Sequence, residues 1–274
     1  MPIRFALNRT CAPQLSLTEF IELAVAVGVT AVEIRNDIEG RECADGTPAA
    51  EVRARIKAAG LSVASVNALQ RFNDWTPQRA REAAAIIGHA AALGAPGVVL
   101  CPVHNEDHGW TVVEAERNLR AGLRQLRAIL LDHGIKGYVE PLGMIGSTMK
   151  RQDMAVAAVS DIDGWDAFAL CYDTFQSFRC GDTALFPERI GLAHLSGIAR
   201  PDLAPEHLTE PDRGLIFAGD RVGNIDRLRA LQAAGYDGFV SMEPFSPAVQ
   251  NDPALAVRLR ASLDHVSAGI TGAA

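Results

Sequence analysis

The sequence predicts an α/β fold in which eight parallel strands alternate with helices and close into one barrel. Three observations lead to this prediction. The chain has 274 residues, of which 48% are hydrophobic and 22% charged, enough to bury one large core. Helical stretches repeatedly end at a glycine that precedes a short apolar run. Two of those apolar runs end in Glu-Pro, at Glu140 and Glu243.

The order helix, glycine, strand recurs at five junctions, whose glycines are Gly28, Gly60, Gly94, Gly134 and Gly235. A glycine after a helix adopts the left-handed cap conformation without steric cost. Such alternation is typical of a parallel sheet. We therefore expect a single-domain (β/α)8 TIM barrel over residues 1–274, with a doubly wound open sheet as the alternative. Because no G-x-G-x-x-G follows the first strand, a dinucleotide-binding open sheet is disfavoured.

Short apolar runs and amphipathic periodicity assign the elements in order. The predicted strands are Ile3–Asn8, Ala31–Arg35, Ser62–Ala68, Gly97–Pro102, Gly137–Leu142, Ala167–Tyr172, Ile190–His194 and Gly238–Glu243. The predicted helices are Leu17–Val27, Pro48–Ala59, Pro77–Leu93, Val112–His133, Gln152–Ser160, Asn224–Ala234 and Pro253–Ser267. After Asp173 we expect only a short helical piece near Thr183–Glu188. The segment Ser196–Gly223 lacks helical periodicity, and we expect it to fold over the functional site.

Charge and cysteine usage exclude several classes of partner. The formal net charge is −7, the isoelectric point is near 5.5, and dense Lys/Arg runs are missing, so nucleic acid and anionic membranes are not expected partners. The five cysteines are scattered without a C-x-x-C pair, which favours reduced thiols over disulfides. With no export signal and no membrane-spanning run, we expect a cytoplasmic protein. Assembly into a homo-oligomer is left open.

Polar residues stand where the predicted strands end. Strands five to eight end at Glu140, Asp173, His194 and Glu243, and the carboxyl ends of barrel strands are where active sites lie. Three carboxylates and one imidazole form an oxygen-rich ligand set for one divalent ion, such as Zn, Mn, Co or Mg. Without a cation these carboxylates would repel one another.

Each residue alone has a purely structural interpretation. Glu-Pro commonly starts a turn, Asp173 fits the cap of a following helix, and His194 fits a buried core histidine. The metal hypothesis therefore depends on the four residues together.

The whole chain resembles the xylose-isomerase-like TIM-barrel superfamily of sugar phosphate isomerases and epimerases, and within it the 2-keto-myo-inositol (inosose) isomerases of inositol catabolism. The matching stretches are F-A-L-N-R-T at 5–10, V-E-I-R at 32–35, V-N-A-L at 66–69, V-E-P at 139–141, Y-D-T-F at 172–175, A-H-L at 193–195, Asp212-Arg213, and S-M-E-P-F at 241–245. The resemblance implies metal ligation by Glu140, Asp173, His194 and Glu243.

The resemblance also implies roles beyond the metal. In related ketose epimerases the two glutamates act as acid and base, which makes Glu140 and Glu243 the catalytic candidates. An arginine after the seventh strand contacts substrate, and Arg213 matches it. Relatives usually carry a histidine where Gln176 stands, and glutamine can donate and accept hydrogen bonds but cannot become a cation. Substrate-binding candidates for a polyol or ketose are Asn8, Arg35, Asn67, Gln176 and Arg213.

The expected reaction is proton transfer beside a carbonyl, which moves the carbonyl by one carbon through an enediolate. The alternatives are a ketose 3-epimerase or an inosose dehydratase of the same fold, and a non-catalytic sugar-binding barrel. A phosphodiester-cleaving endonuclease of this fold needs three metals and a basic groove, which this acidic sequence does not provide. Acidic residues for a second metal are also missing, so one ion is expected.

Overall fold

A computed structural model describes residues 3–272, so two residues at each end of the predicted 1–274 domain lie outside the described residues. Within it, eight strands form a closed barrel in which neighbouring strands run parallel. The strands are β1 Arg4–Asn8, β2 Ala31–Arg35, β3 Ser62–Leu69, β4 Gly97–Leu100, β5 Lys136–Val139, β6 Phe168–Asp173, β7 Ile190–Leu195 and β8 Phe239–Met242.

The first strand closes the barrel because it pairs on both sides. Leu7 of β1 lies opposite Val32 of β2 and opposite Met242 of β8. The remaining strands follow in chain order around the wall from β2 to β8. This closure confirms the predicted (β/α)8 barrel and excludes the open-sheet alternative.

Helices surround the strands in the predicted alternation. They are α1 Leu17–Val27, α2 Ala49–Ala58, α3 Pro77–Leu93, α4 Val112–His133, α5 Gln152–Ser160, α6 Thr174–Arg179, α7 Asn224–Ala233, α8 Pro247–Gln250 and α9 Leu255–Thr271. Helices α1, α3, α4 and α5 have the bounds that the sequence predicted. Over residues 3–272, no helix combines the length and the apolar character needed to cross a membrane.

The helical piece predicted near Thr183–Glu188 is wrong. The helix instead starts directly after β6, where the Asp173 carboxylate caps α6 by accepting hydrogen bonds from the backbone N–H groups of Phe175 and Gln176. Asp182 accepts from the backbone N–H groups of Gln152 and Ala184, which holds its own segment in a turn. Only a 3₁₀ turn follows, over Pro187–Arg189.

Local sequence signals define the helix ends. Ser16 with Glu19 and Thr111 with Glu114 form capping boxes at the starts of α1 and α4, which satisfies backbone N–H groups that have no partner within the helix. The five predicted junction glycines all have positive φ, between 66° and 85°. The left-handed conformation that the sequence analysis required at these glycines is therefore confirmed.

Small residues make room for one large ring inside the barrel. A Cβ on Gly97 of β4 or Gly191 of β7 would lie 2.6 or 2.5 Å from the Tyr138 ring. Tyr138 belongs to an interior apolar cluster with alanines of β1, β2 and β3 and with Phe239 of β8. The interior is therefore filled by packed side chains, and polar residues occupy the carboxyl ends of the strands.

The segment Ser196–Gly223 folds over that polar end. Gly197–Ile198 pairs antiparallel with Arg213–Gly214, and 3₁₀ turns form at Pro205–His207 and Glu210–Asp212. Leu208 and Val222 pack with Phe175 of α6 in a small apolar cluster of their own. This packing places Glu210 and Arg213 beside the strand ends.

Two helix glycines allow a matched test of how closely helices α3 and α4 pack against their neighbours. A Cβ on Gly122 of α4 would lie 2.6 Å from the Phe72 carbonyl oxygen, whereas a Cβ on Gly88 of α3 would make ordinary contact with His133 at 3.5 Å. We expect Gly122→Ala to lower the free energy of unfolding by about 1–3 kcal/mol through overpacking.

The control, Gly88→Ala, should leave stability unchanged or raise it by up to about 1 kcal/mol, because alanine favours helix. Urea unfolding of both variants measures the difference. Equal effects of the two substitutions would contradict the close approach of α4 to the Phe72 backbone.

Candidate functional site

Four acidic or imidazole side chains meet at the carboxyl ends of β5 to β8. Glu140 follows β5, Asp173 ends β6, His194 lies near the end of β7, and Glu243 follows β8. One potential ligand atom from each lies within 4.8 Å of every other, and all four residues are buried. The structure thus brings together the complete ligand set that the sequence predicted.

His194 is oriented by a carboxylate that the sequence analysis did not include in the site. Its Nδ1 lies 2.9 Å from Glu140 Oε1 and 3.2 Å from Glu243 Oε2, and its Nε2 lies 3.1 Å from Glu33 Oε1. Burial lowers the pKa of His194, but the surrounding carboxylates raise it well above its usual value, so both ring nitrogens carry protons and donate to them. An ion held here would take the place of the Nδ1 proton, while Nε2–H would still donate to Glu33. Carboxylates commonly fix metal-binding histidines in this way.

Glu33 is held firmly for this role. Its side chain is fully buried in β2, Asn8 Nδ2 donates to Oε1 over 3.1 Å, and the Ser65 hydroxyl donates to Oε2. Burial alone would raise the pKa of Glu33, but the charge and hydrogen bond of His194 bring that pKa down to about 2. Glu33 therefore remains an anion that accepts from His194.

Asp173 divides its two oxygens between two functions. Oδ1 accepts from the backbone N–H groups of Phe175 at 2.8 Å and Gln176 at 3.1 Å. Oδ2 accepts from Arg213 Nη2 at 2.7 Å and faces the cluster. The helix-cap interpretation and the ligand interpretation of Asp173 are therefore compatible.

The Glu243 carboxylate accepts hydrogen bonds from most of the residues that we predicted to bind substrate. Oε1 accepts from Asn8 at 3.0 Å, Asn67 at 3.1 Å and Arg35 at 3.2 Å, while Oε2 accepts from Arg213 at 2.8 Å. Asn8 is fully buried, and its amide bridges Glu33 and Glu243. These contacts give Asn8 a role in positioning the carboxylates.

Close packing of like charges changes the proton affinity of Glu243. Burial, together with the Glu140 charge, raises the pKa of Glu243 to about 7, against the opposite effects of His194, Arg213 and Arg35. Burial also raises the pKa of Asp173, with Arg213 opposing. Such repulsion is what a cation bound among these carboxylates relieves.

Two thiols border Glu140. Cys101 Sγ lies 3.4 Å from Glu140 Oε2, and Cys171 Sγ lies 3.7 Å from Oε1 and 3.4 Å from His194 Nδ1. Burial raises the pKa of both cysteines, so both are neutral thiols around the carboxylate. Nothing in the sequence pattern singled out these two cysteines.

A cavity of about 140 Å³ opens above the cluster. Its walls include both glutamates of the cluster and four of the five predicted substrate-binding residues; the lining residues are Arg35, Asn67, Gln70, Cys101, His104, Glu140, Leu142, Met144, Gln176, Glu210, Arg213, Glu243 and Phe245. Gln176 is fixed in the wall, because its Oε1 accepts from Gly143 N and its Nε2 donates to Glu210, both over 3.0 Å.

The donor set fits a divalent ion. Oxygen and nitrogen ligands lie about 2.0–2.2 Å from Zn²⁺, so ligand atoms of one ion are separated by less than about 4.4 Å. The observed upper limit of 4.8 Å needs only small side-chain adjustments. Glu140, Asp173, His194 and Glu243 are the residues that would hold the ion.

The fold and site define a parallel β/α barrel with a carboxylate-rich centre at the carboxyl ends of its strands. The sequence profile of the xylose isomerase-like TIM barrel family matches residues 21–265. The chain belongs to this family. No curated protein sequence matches the chain.

Solved structures are similar over nearly the whole chain. A xylose isomerase domain-containing protein from Salmonella typhimurium LT2 is 25% identical, with a TM-score of 0.87 and coverage of 99% of both chains. The IolI protein, solved with a bound zinc atom, is 19% identical with a TM-score of 0.85 and covers 98% of this chain and 99% of its own. An L-ribulose 3-epimerase is 15% identical with a TM-score of 0.77, covering 99% and 95%.

The contact between Glu33 and His194 yields a prediction about metal affinity. We expect Glu33→Gln to weaken divalent-ion binding by roughly 10- to 100-fold, because an amide stabilises the required imidazole orientation less well than a carboxylate. Competition with a chromogenic chelator measures the dissociation constant, and circular dichroism checks the fold.

The matched control is Glu39→Gln, an exposed glutamate in the loop after β2. This variant should bind the ion as the unaltered chain does. Unchanged affinity in folded Glu33→Gln would remove Glu33 from the metal site.

Proposed function

We propose that this chain is a divalent-metal-dependent isomerase that moves a carbonyl along a cyclic polyol ketone of the 2-keto-myo-inositol type. The observation that carries the proposal is the placement of Glu140 and Glu243. Both line the cavity, and both approach His194 Nδ1, at 2.9 and 3.2 Å. Two carboxylates beside one potential metal position can remove and return a proton at adjacent carbons.

The metal would polarise the substrate carbonyl and stabilise the negative charge that develops as the neighbouring proton leaves. The chain's own residues supply the remaining steps. One glutamate accepts the proton from the carbon beside the carbonyl, and the other returns a proton at the former carbonyl carbon. The hydroxyl proton passes from the oxygen that becomes the new carbonyl to the former carbonyl oxygen. Arg35 and Asn67 hold the Glu243 carboxylate in place through Oε1. Proximity then compensates for the weak basicity of a carboxylate next to a cation.

The cavity suits a small polar substrate. Its volume of about 140 Å³ is well below the several hundred Å³ of pockets for drug-sized ligands. Gln70 and His104 also line the cavity, and both carry polar side chains of the kind that can bond hydroxyl groups. A single polyol ring is therefore the proposed ligand.

Epimerisation of a ketose is the second candidate, because the same two glutamates face one cavity. An epimerase returns the proton to the carbon that lost it, on the opposite face, whereas an isomerase returns it to the neighbouring carbon. Product analysis by NMR in deuterated water separates the two, since deuterium marks the carbon that was protonated. Loss of water in the product would instead indicate a dehydratase.

Metal content provides the first test of the mechanism. We expect about one divalent ion per chain after purification without chelator, because one four-residue donor set converges among residues 3–272 apart from an overlapping trio that includes Cys171. Elemental analysis gives the content, and EDTA treatment should abolish turnover of 2-keto-myo-inositol. Full activity in metal-free protein would contradict the proposed metal dependence.

Amide substitutions provide the second test. We expect Glu140→Gln and Glu243→Gln each to reduce turnover to background, because an amide cannot accept the substrate proton. At least one variant should keep the ion, since an amide oxygen still coordinates. Turnover and metal content are measured on the same samples, and a normal rate in either variant would refute its acid/base role. A chain that binds inosose without any turnover would instead be a sugar-binding barrel.

A further inference from the structure

One carboxylate in the cavity wall, that of Glu210, has no role in the proposed mechanism. Glu210 lies in the 3₁₀ turn Glu210–Asp212 of the segment that covers the barrel. Its Oε1 accepts from Gln176 Nε2 and Arg179 Nη1, and its Oε2 accepts from Arg213 Nη1, each over 3.0 Å. Glu210 therefore links three donors that come from two different segments of the chain.

The cations around the cavity are all paired with carboxylates. Arg35 forms a two-point contact with Asp37, at 2.8 and 2.6 Å, and also donates to Glu243. Arg213 donates to Asp173 and Glu243 through Nη2 and to Glu210 through Nη1. An entering anion would therefore meet a carboxylate beside each of these guanidinium groups.

Glu210 differs from Asp173 and Glu243, the other carboxylates that pair with Arg213, because it lies outside the four-residue donor set. An ion held by Asp173 and Glu243 would compete with Arg213 for these two carboxylates. Glu210 would then be the carboxylate that still neutralises Arg213. It also accepts from Arg179, whose buried Nε has no hydrogen-bond partner among the described residues.

We propose that Glu210 makes this cavity selective for uncharged polyol ketones and excludes phosphorylated or carboxylated ones; this inference rests on the proposed function. A hydroxyl group can donate to the Glu210 carboxylate, whereas a phosphate or carboxylate group meets its negative charge in the cavity wall. Removing that charge leaves Arg179 and Arg213 as a pair of guanidinium groups, which is a favourable arrangement for binding an anion.

The test compares binding of one anion and one uncharged polyol to the metal-loaded chain. The probes are inorganic phosphate and myo-inositol, and calorimetry measures both dissociation constants. Glu210→Gln should bind phosphate on the order of 10- to 100-fold more tightly than the unaltered chain, as expected for new hydrogen bonds to charged groups. Binding of myo-inositol should change much less.

The matched control is Glu206→Gln, which removes the same charge from an exposed position of the same segment. It should bind phosphate as weakly as the unaltered chain. Adding Arg179→Ala to Glu210→Gln should remove the gain in phosphate affinity. That result would place the phosphate at the Arg179–Arg213 pair. If Glu210→Gln does not fold, by circular dichroism and thermal unfolding, Glu210→Ala takes its place with the same expectation.

Two results would overturn the inference: phosphate binding to the unaltered chain as tight as to Glu210→Gln, or an equal gain in Glu206→Gln. Measuring inosose turnover alongside phosphate affinity distinguishes a failure of this inference from a failure of the proposed function. If the unaltered chain isomerises no inosose while Glu210→Gln gains phosphate affinity, the isomerase proposal fails and the charge selection holds. If inosose turnover is found but no variant gains affinity, only the charge selection fails.

Discussion

The polar end of this barrel is stable only if the mutual repulsion of its buried carboxylates is offset. Barrel closure brings Glu33, Glu140 and Glu243 to one imidazole, with Asp173 beside them. In a water-poor interior such charges are tolerated only when they are paired. His194 and the surrounding guanidinium and amide groups provide the pairing, and the arrangement leaves donor atoms directed at a common point where a cation would complete it.

The covering segment is part of this balance of charge. Arg213 comes from a stretch with little regular structure, yet it is buried and contacts residues from two different barrel strands. Its guanidinium also lies over the rings of Phe175 and Phe245, at 5.2 and 5.0 Å from their centroids. The loop is therefore held by charge and by aromatic contacts at the same place, so cavity shape depends on the ion-pair network.

Sequence patterns predicted the barrel well because its strands alternate with amphipathic helices and because Glu-Pro pairs mark the ends of two strands. The convergence of Glu140, Asp173, His194 and Glu243 followed from chain order alone. Glu33 was missed as a partner of His194 because these residues are 161 positions apart, and only barrel closure brings them together. Glu210 was missed because an irregular loop carries no periodicity. Helix α6 was misplaced because the capping role of Asp173 was weighed only as an alternative to ligation.

The divided carboxylate of Asp173 has a consequence for how the molecule would respond to a bound ion. One oxygen fixes the first turn of α6, and the other faces the proposed metal position, so ion binding and the stability of that turn are thermodynamically linked. An ion that prefers the ordered carboxylate must also lower the population of the locally opened state at Phe175 and Gln176, by the factor by which the ordered state binds the ion more tightly than the opened one. Helix α6 would therefore report occupancy of the proposed site, through amide hydrogen exchange at two residues outside the donor set.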